Sequence, residues 1–435
     1  MRSPVFLAPC GRIRGWRDGA VIRATGIPYA SAPRFGIPEP TPNHTGTFDA
    51  TAWAPAAPQL AVPALEQRLG YSTADLVQDE HCQRLSVTIP ARSSSPLPVM
   101  VWIHGGAYTS GAADIPIHDP AALVAEQNVI VVGVTYRLGL LGYLGGAEER
   151  PANLGLMDQL CALRWVQRNI AAFGGDRDNI TVFGESAGGD AVLHLMATPE
   201  APRLFRRAIA QSAPLGLSRG RQKMNAAMLA ATKEATPATS LEDILTLQET
   251  AQNAAAGFGL RSTMAFGTQY GHTPLPAETE VQDAWAAAAL AVDLLIGFNA
   301  DEVRFFIDAV PALVKLSRVP VIGRALTGAV ARLLTEVIYA RGARDFARRH
   351  RRAGGTVRSY VIRWSAPGNP FGASHTIDLP LLFANAHTWR DAEITRGADA
   401  DSLTAAARRI RVLWADFARG EDIGGRSIEG LIDVS

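Results

Sequence analysis

Six short apolar runs, Val99 to His104, Val129 to Thr135, Ile180 to Phe183, Ala208 to Gln211, Leu294 to Asn299 and Val357 to Trp364, recur along the chain with helical patterns between them. A run without alternation is apolar on both faces, and such strands alternating with helices fold as a mainly parallel sheet wrapped by helices. The expected fold class is therefore α/β. The clearest helix is Leu154 to Phe173, where Met157, Leu160, Cys161 and Trp165 share one face and Gly174-Gly175 supplies the stop. From 213 to 292 the chain turns Ala-, Thr- and Gln-rich without a strong strand signal, which predicts a mostly helical section inserted within a single domain, 1–435.

Composition narrows the partners. With 47% hydrophobic and 19% charged residues the chain can bury a sizeable core, which excludes a largely disordered protein. Its 42 basic and 41 acidic residues leave +1, so no overall field draws it to nucleic acid or to an anionic membrane. The basic run Arg341 to Arg352 is expected to be a solvated helix face, with anionic-surface binding as the alternative. The apolar stretches 284–298 and 309–338 are broken by Asp293 and by Lys315, Arg318 and Arg324, short of the ~20 uninterrupted residues a membrane-spanning helix needs. Cys10, Cys82 and Cys161 lie far apart with no Cys-x-x-Cys, so neither a zinc site nor a disulfide framework is indicated. A reducing, cytoplasmic location fits, no metal or other cofactor is expected, and monomer or homodimer is left open.

Two segments carry chemistry. Ile180 to Phe183 runs into Gly184-Glu185-Ser186-Ala187-Gly188-Gly189 and then a helical pattern, the strand–turn–helix setting in which G-x-S-x-G presents a serine nucleophile. The following helix N-terminus puts the Ala187 N–H where it can stabilise an oxyanion. Val99 to Ile103 likewise runs into His104-Gly105-Gly106-Ala107, whose small residues leave backbone N–H groups open to a substrate carbonyl.

Together with Pro33-Arg34-Phe35, Glu80-His81-Cys82, Tyr136-Arg137-Leu138-Gly139, Asn153 to Gln159 and Phe173-Gly174-Gly175-Asp176, these segments resemble the type-B carboxylesterases. That α/β-hydrolase group includes bacterial para-nitrobenzyl esterases and the cholinesterases. The resemblance implies a catalytic triad of Ser186, Glu302 in Asn299-Ala300-Asp301-Glu302, and His375 in Phe371-Gly372-Ala373-Ser374-His375-Thr376-Ile377-Asp378-Leu379-Pro380. It implies Gly106, Ala107 and Ala187 as oxyanion donors, with Gly105 shaping their loop. Chemistry asks for the same set: a serine needs a neutral imidazole to take its proton, and the imidazolium needs a buried carboxylate. His104 is expected to shape the pocket, His194 to pack on the helix after Ser186, and Glu185 to support the site together with Ser212.

The activity implied is serine-dependent hydrolysis of small-molecule carboxylic esters by water, with short to medium acyl groups and broad alcohol tolerance. The alternatives are the same triad acting on carbamates, amides or lactones, and a non-catalytic esterase-like binding protein. Ala57 stands where secreted relatives carry a cysteine before Pro-Gln, so their disulfide cannot form, and Glu80 is expected to pair with Arg34. The chain stops at Ser435 without the family's usual Trp-Pro segment, an expected shortening of one pocket edge.

Overall fold

All six apolar runs are strands, and they lie side by side. The computed structural model describes residues 3–92, 96–147, 149–319, 322–383 and 388–435. One ten-stranded sheet is built from β1 (Trp16–Asp18), β2 (Val21–Pro28), β3 (Arg84–Pro90), β4 (Leu97–Ile103), β5 (Ile130–Thr135), β6 (Gly175–Glu185), β7 (Arg207–Gln211), β8 (Asp293–Asn299), β9 (Val357–Ile362) and β10 (Ile432–Val434). Their order is β10-β9-β8-β7-β6-β4-β5-β3-β2-β1. The six predicted strands, β4 to β9, form an unbroken parallel block, with Val99 aligned to both Ile130 and Ile180. Four strands absent from the sequence reading, β1, β2, β3 and β10, flank that block in antiparallel pairings.

The crossovers follow from the sequence punctuation. Helix α1 (Leu154–Asn169) continues as a 3₁₀ turn to Phe173 and is closed by Gly174 at φ 84°, a left-handed cap that leads straight into β6. Helix α2 (Ala187–Met196) follows β6 and is buried along its whole length. Between β7 and β8 the chain forms three helices, Gln222–Ala231, Leu241–Ala255 and Val281–Ala289. Helix α3 (Arg341–Arg352) buries Ala343, Phe346, Ala347 and His350, while Arg344 pairs outward with Glu336 and Arg349 with Gln282. This is the solvated basic face. Helix α4 (Ala400–Arg419) packs Ile410, Trp414 and Phe417 into the core. No helix among the described residues is long and apolar enough to cross a membrane.

Two ion pairs tie distant segments together. Arg34 Nε donates to Glu80 at 2.7 Å, the expected pairing. Arg137, just past β5, grips Asp158 of α1 with Nε and Nη2, both at 2.8 Å, and adds its backbone N–H at 3.0 Å. Asp158 is fully buried. Removing one partner of such a pair strands the other charge in the core, so Asp158→Ala should lose about 3–5 kcal/mol of stability. A lower urea midpoint for the variant, unaccompanied by a changed slope, is the expected readout.

Candidate active site

Each predicted triad residue follows the carboxyl end of a parallel strand. Ser186 follows β6 directly and sits at φ 57°, ψ −123°, a conformation that costs energy for any side chain and holds it out from the turn. The turn survives because it is locked from both sides: Ser186 N–H donates to Gln211 O at 2.9 Å, and Asp190 N–H returns to Ser186 O at 2.9 Å. Gly188 is obligatory for a close approach, since a Cβ there would run into the carbonyl oxygens of Ile103 and His104.

Glu302 and His375 converge on the serine from the loops after β8 and β9. His375 Nε2 lies 2.8 Å from Ser186 Oγ, and Nδ1 lies 2.6 Å from Glu302 Oε2. The other Glu302 oxygen accepts the Asn299 N–H at 2.7 Å, and the His375 backbone N–H donates to Glu302 O at 3.1 Å, so Glu302 and His375 orient one another. The imidazole is packed among Phe306 at 5.3 Å, Tyr339 at 5.1 Å and Phe305 at 6.0 Å. Tyr339 comes from a π-helical turn, Glu336–Ala340.

Behind the triad lies a second buried layer. Asp378 accepts from the Gln211 side chain and from Asn299 Nδ2 at 3.3 Å, and Trp414 Nε1 donates to Gln211 Oε1 at 3.0 Å. Glu185 Oε1 stands 3.3 Å from His375 Nε2. Burial opposes charge on every member. It pushes Glu185 well above its ordinary value, with His375 opposing and Asp378 and Glu302 adding, and it raises Asp378. Burial pushes His375 down, but the carboxylates of Glu185 and Glu302 outweigh it and lift the imidazole to about 9.

The loop after β4 faces the serine. Gly106, Ala107 and Tyr108 all take positive φ, 110°, 54° and 61°, which turns successive N–H groups away from the sheet. Among the described residues no hydrogen bond uses the N–H of Gly106 or Ala107, and Ala187, first in α2, has no intrahelical acceptor. Gly105 brings the loop against Ser186: a Cβ would lie 2.8 Å from Glu185 Oε2 and 3.1 Å from the Ser186 Cβ. A cavity of about 220 Å³ opens here, walled by Ser186, His375, Gly106 and Ala107 and by apolar side chains. A larger one, about 780 Å³, adjoins it, with Tyr71, Ile115 and His118 in both walls.

The supporting residues lie around the loop and the serine turn, all buried. His104 does not line the cavity at Ser186; it lies beneath the loop, stacked on Tyr136 at 4.4 Å with Nδ1 2.9 Å from Gly105 O, and burial lowers it to about 4, so it is neutral. Ser212 and Glu185 make no hydrogen bond to each other; Ser212 Oγ and Glu185 Oε1 are both buried without a hydrogen-bond partner. His194 packs as expected, between Asp190 O and the Tyr270 hydroxyl, each at 2.7 Å. The sequence reading gave no role to Asp378, Asn299, Gln211 or Trp414, although Asp378, Asn299 and Gln211 stood inside quoted segments; their convergence is purely spatial. Among the described residues no cluster of His, Cys, Asp and Glu could hold a metal ion.

A strained serine after a parallel strand, with a histidine and a carboxylate from later strand ends, defines the α/β-hydrolase class. The family model for carboxylesterases matches residues 2–319, and the chain belongs to the carboxylesterase family. It is 38% identical to a probable N-octanoylanthranilate hydrolase of Rhodococcus erythropolis, over 94% of this chain and 91% of that one. It is 33% identical to the para-nitrobenzyl esterase of Bacillus subtilis (strain 168), over 96% and 90%. A solved thermophilic para-nitrobenzyl esterase superposes with a TM-score of 0.80 at 29% identity, covering 100% of this chain and 98% of that one. The chain is a carboxylic-ester hydrolase.

The raised imidazole sets the pH response. With His375 as the base, only its neutral form accepts a proton, so kcat/KM is expected to grow as pH rises toward about 9 and to be lost as pH falls below it. Glu185→Gln removes a carboxylate that raises His375, and should move this acid limb down by about one pH unit. Superimposable kcat/KM profiles for the two proteins would refute the coupling.

Proposed function

We propose that Ser186 is the nucleophile of this hydrolase, His375 its general base and acid, and Glu302 the carboxylate that orients and stabilises the imidazolium. The observation that carries this reading is the continuous chain Ser186 Oγ, His375 Nε2 at 2.8 Å, His375 Nδ1, Glu302 Oε2 at 2.6 Å, opening onto a cavity. Ser186 Oγ–H gives its proton to His375 as Oγ attacks the ester carbonyl carbon. The oxyanion accepts from the N–H groups of Gly106, Ala107 and Ala187, donors that cost no reorganisation at the moment of reaction. His375 then protonates the leaving alkoxide and the alcohol departs. Water, deprotonated by His375, attacks the acyl carbon, and Ser186 Oγ regains the proton as the acid leaves.

The cavity of about 220 Å³ at the nucleophile suits short or medium acyl groups, and the larger adjoining space supports broad tolerance on the alcohol side. A cytoplasmic location belongs to the same proposal and draws on Cys10, Cys82 and Cys161, all free and buried.

Ser186→Ala should lower kcat on para-nitrophenyl butyrate by about 10³-fold or more, and Glu302→Gln on the order of 10²- to 10⁴-fold, with folding intact by circular dichroism. Intact-mass analysis should find an acyl adduct on the wild type and none on Ser186→Ala. Across para-nitrophenyl esters of graded length, turnover should peak at a short or medium chain. Matched anilides should react more slowly; faster anilide cleavage would transfer the main role to amides.

A further inference from the structure

The cavity at Ser186 contains a nearly buried cation that donates no hydrogen bond among the described residues and whose one ion pair is long and open to water. Arg68, near the end of the short helix Pro63–Leu69, is only 6% exposed and lines the same cavity as Ser186 and His375. Its guanidinium lies over the rings of Phe305, at 5.1 Å, and Phe371, at 5.6 Å. Among the described residues no hydrogen bond uses any of its N–H groups, and the one carboxylate within reach, Asp308, is 3.8 Å away with a side chain 72% exposed to water. Other buried arginines of this chain spend their donors differently: Arg137 is bidentate to Asp158, and Arg411 to Glu126 with both contacts at 2.8 Å.

A nearly buried guanidinium with idle donors is costly unless something arrives to use them. The aromatic faces hold the charge in position, while the N–H edge, a planar fork matched to carboxylate geometry, stays free. The cavity is mostly apolar, with Leu65, Leu69, Ile115 and Ile117 in its lining, and Glu185 and His118 share it.

We propose that Arg68 receives a carboxylate of the substrate, so that the preferred esters are amphipathic acids: an apolar body, the scissile ester, and one carboxylate apart from it. The proposal rests on the esterase reading above and adds the chemical class of its substrate.

Meta-butyryloxybenzoate and phenyl butyrate differ only in that carboxylate. Wild-type protein should favour the former in kcat/KM, and Arg68→Met, which keeps the side-chain length without the charge, should lower the ratio of the two by about ten-fold, the factor one charge-assisted hydrogen bond carries. The change should fall on KM rather than kcat, and Arg68→Lys should recover part of it. Benzoate binding to the wild type, followed by calorimetry, needs no turnover and should exceed that of benzamide. A ratio unmoved by Arg68→Met, or benzoate binding no tighter than benzamide, overturns the proposal. Benzoate binding that depends on Arg68, in a protein that hydrolyses neither ester, upholds the carboxylate site and overturns the esterase reading alone.

Discussion

One imidazole must be reconciled with three carboxylates in the interior of this protein. Glu302 bonds His375 directly, Glu185 stands 3.3 Å away, and Asp378 lies behind. Like charges in low dielectric repel strongly, and two things ease the arrangement: burial favours the neutral form of Glu185, whose Oε1 has no hydrogen-bond partner, and neighbouring amides take up the lone pairs of Asp378. These amides are Gln211 and Asn299, and Trp414 fixes Gln211. These partners come from the ends of β7 and β8 and from α4, so the electrostatic balance of the site also fastens three separate parts of the fold.

A second economy lies in where the strand ends meet. Gly188 lets α2 press against the carbonyls of Ile103 and His104, at the end of β4. That same strand end launches the loop of Gly105, Gly106 and Ala107. The position of Ser186 relative to that loop thus rests on close backbone approaches at Gly188 and Gly105, and His104, neutral and stacked on Tyr136, contacts the loop through Gly105 O.

The parallel block was legible because its strands are continuous apolar runs, whereas β2, though buried on both faces, carries Arg23 and Thr25 within it. The flanking strands were not, because β1 and β10 have only three residues each, and β3 alternates in Arg84-Leu85-Ser86-Val87-Thr88. Ser186 stood out by a local rule, the strained turn between strand and helix. Glu302 and His375 required the resemblance, since contacts across 73 and 189 residues leave no trace in periodicity. Whether Ser212 and Glu185 hydrogen-bond depends on side-chain orientation, which the separate segments that carry them do not reveal. Arg68 was unreadable for a different reason: on a short helix it looks like any solvated arginine, and only Phe305 and Phe371, from far along the chain, reveal its setting.

The hydrogen bond from Trp414 to Gln211 spans 203 residues, and its consequence is one of timing. During synthesis the nucleophile elbow leaves the ribosome long before His375 does, and α4, which steadies the carboxylate layer, leaves later still. The carboxylate layer behind His375 can therefore be completed only once α4 has been made and has docked against the end of β7.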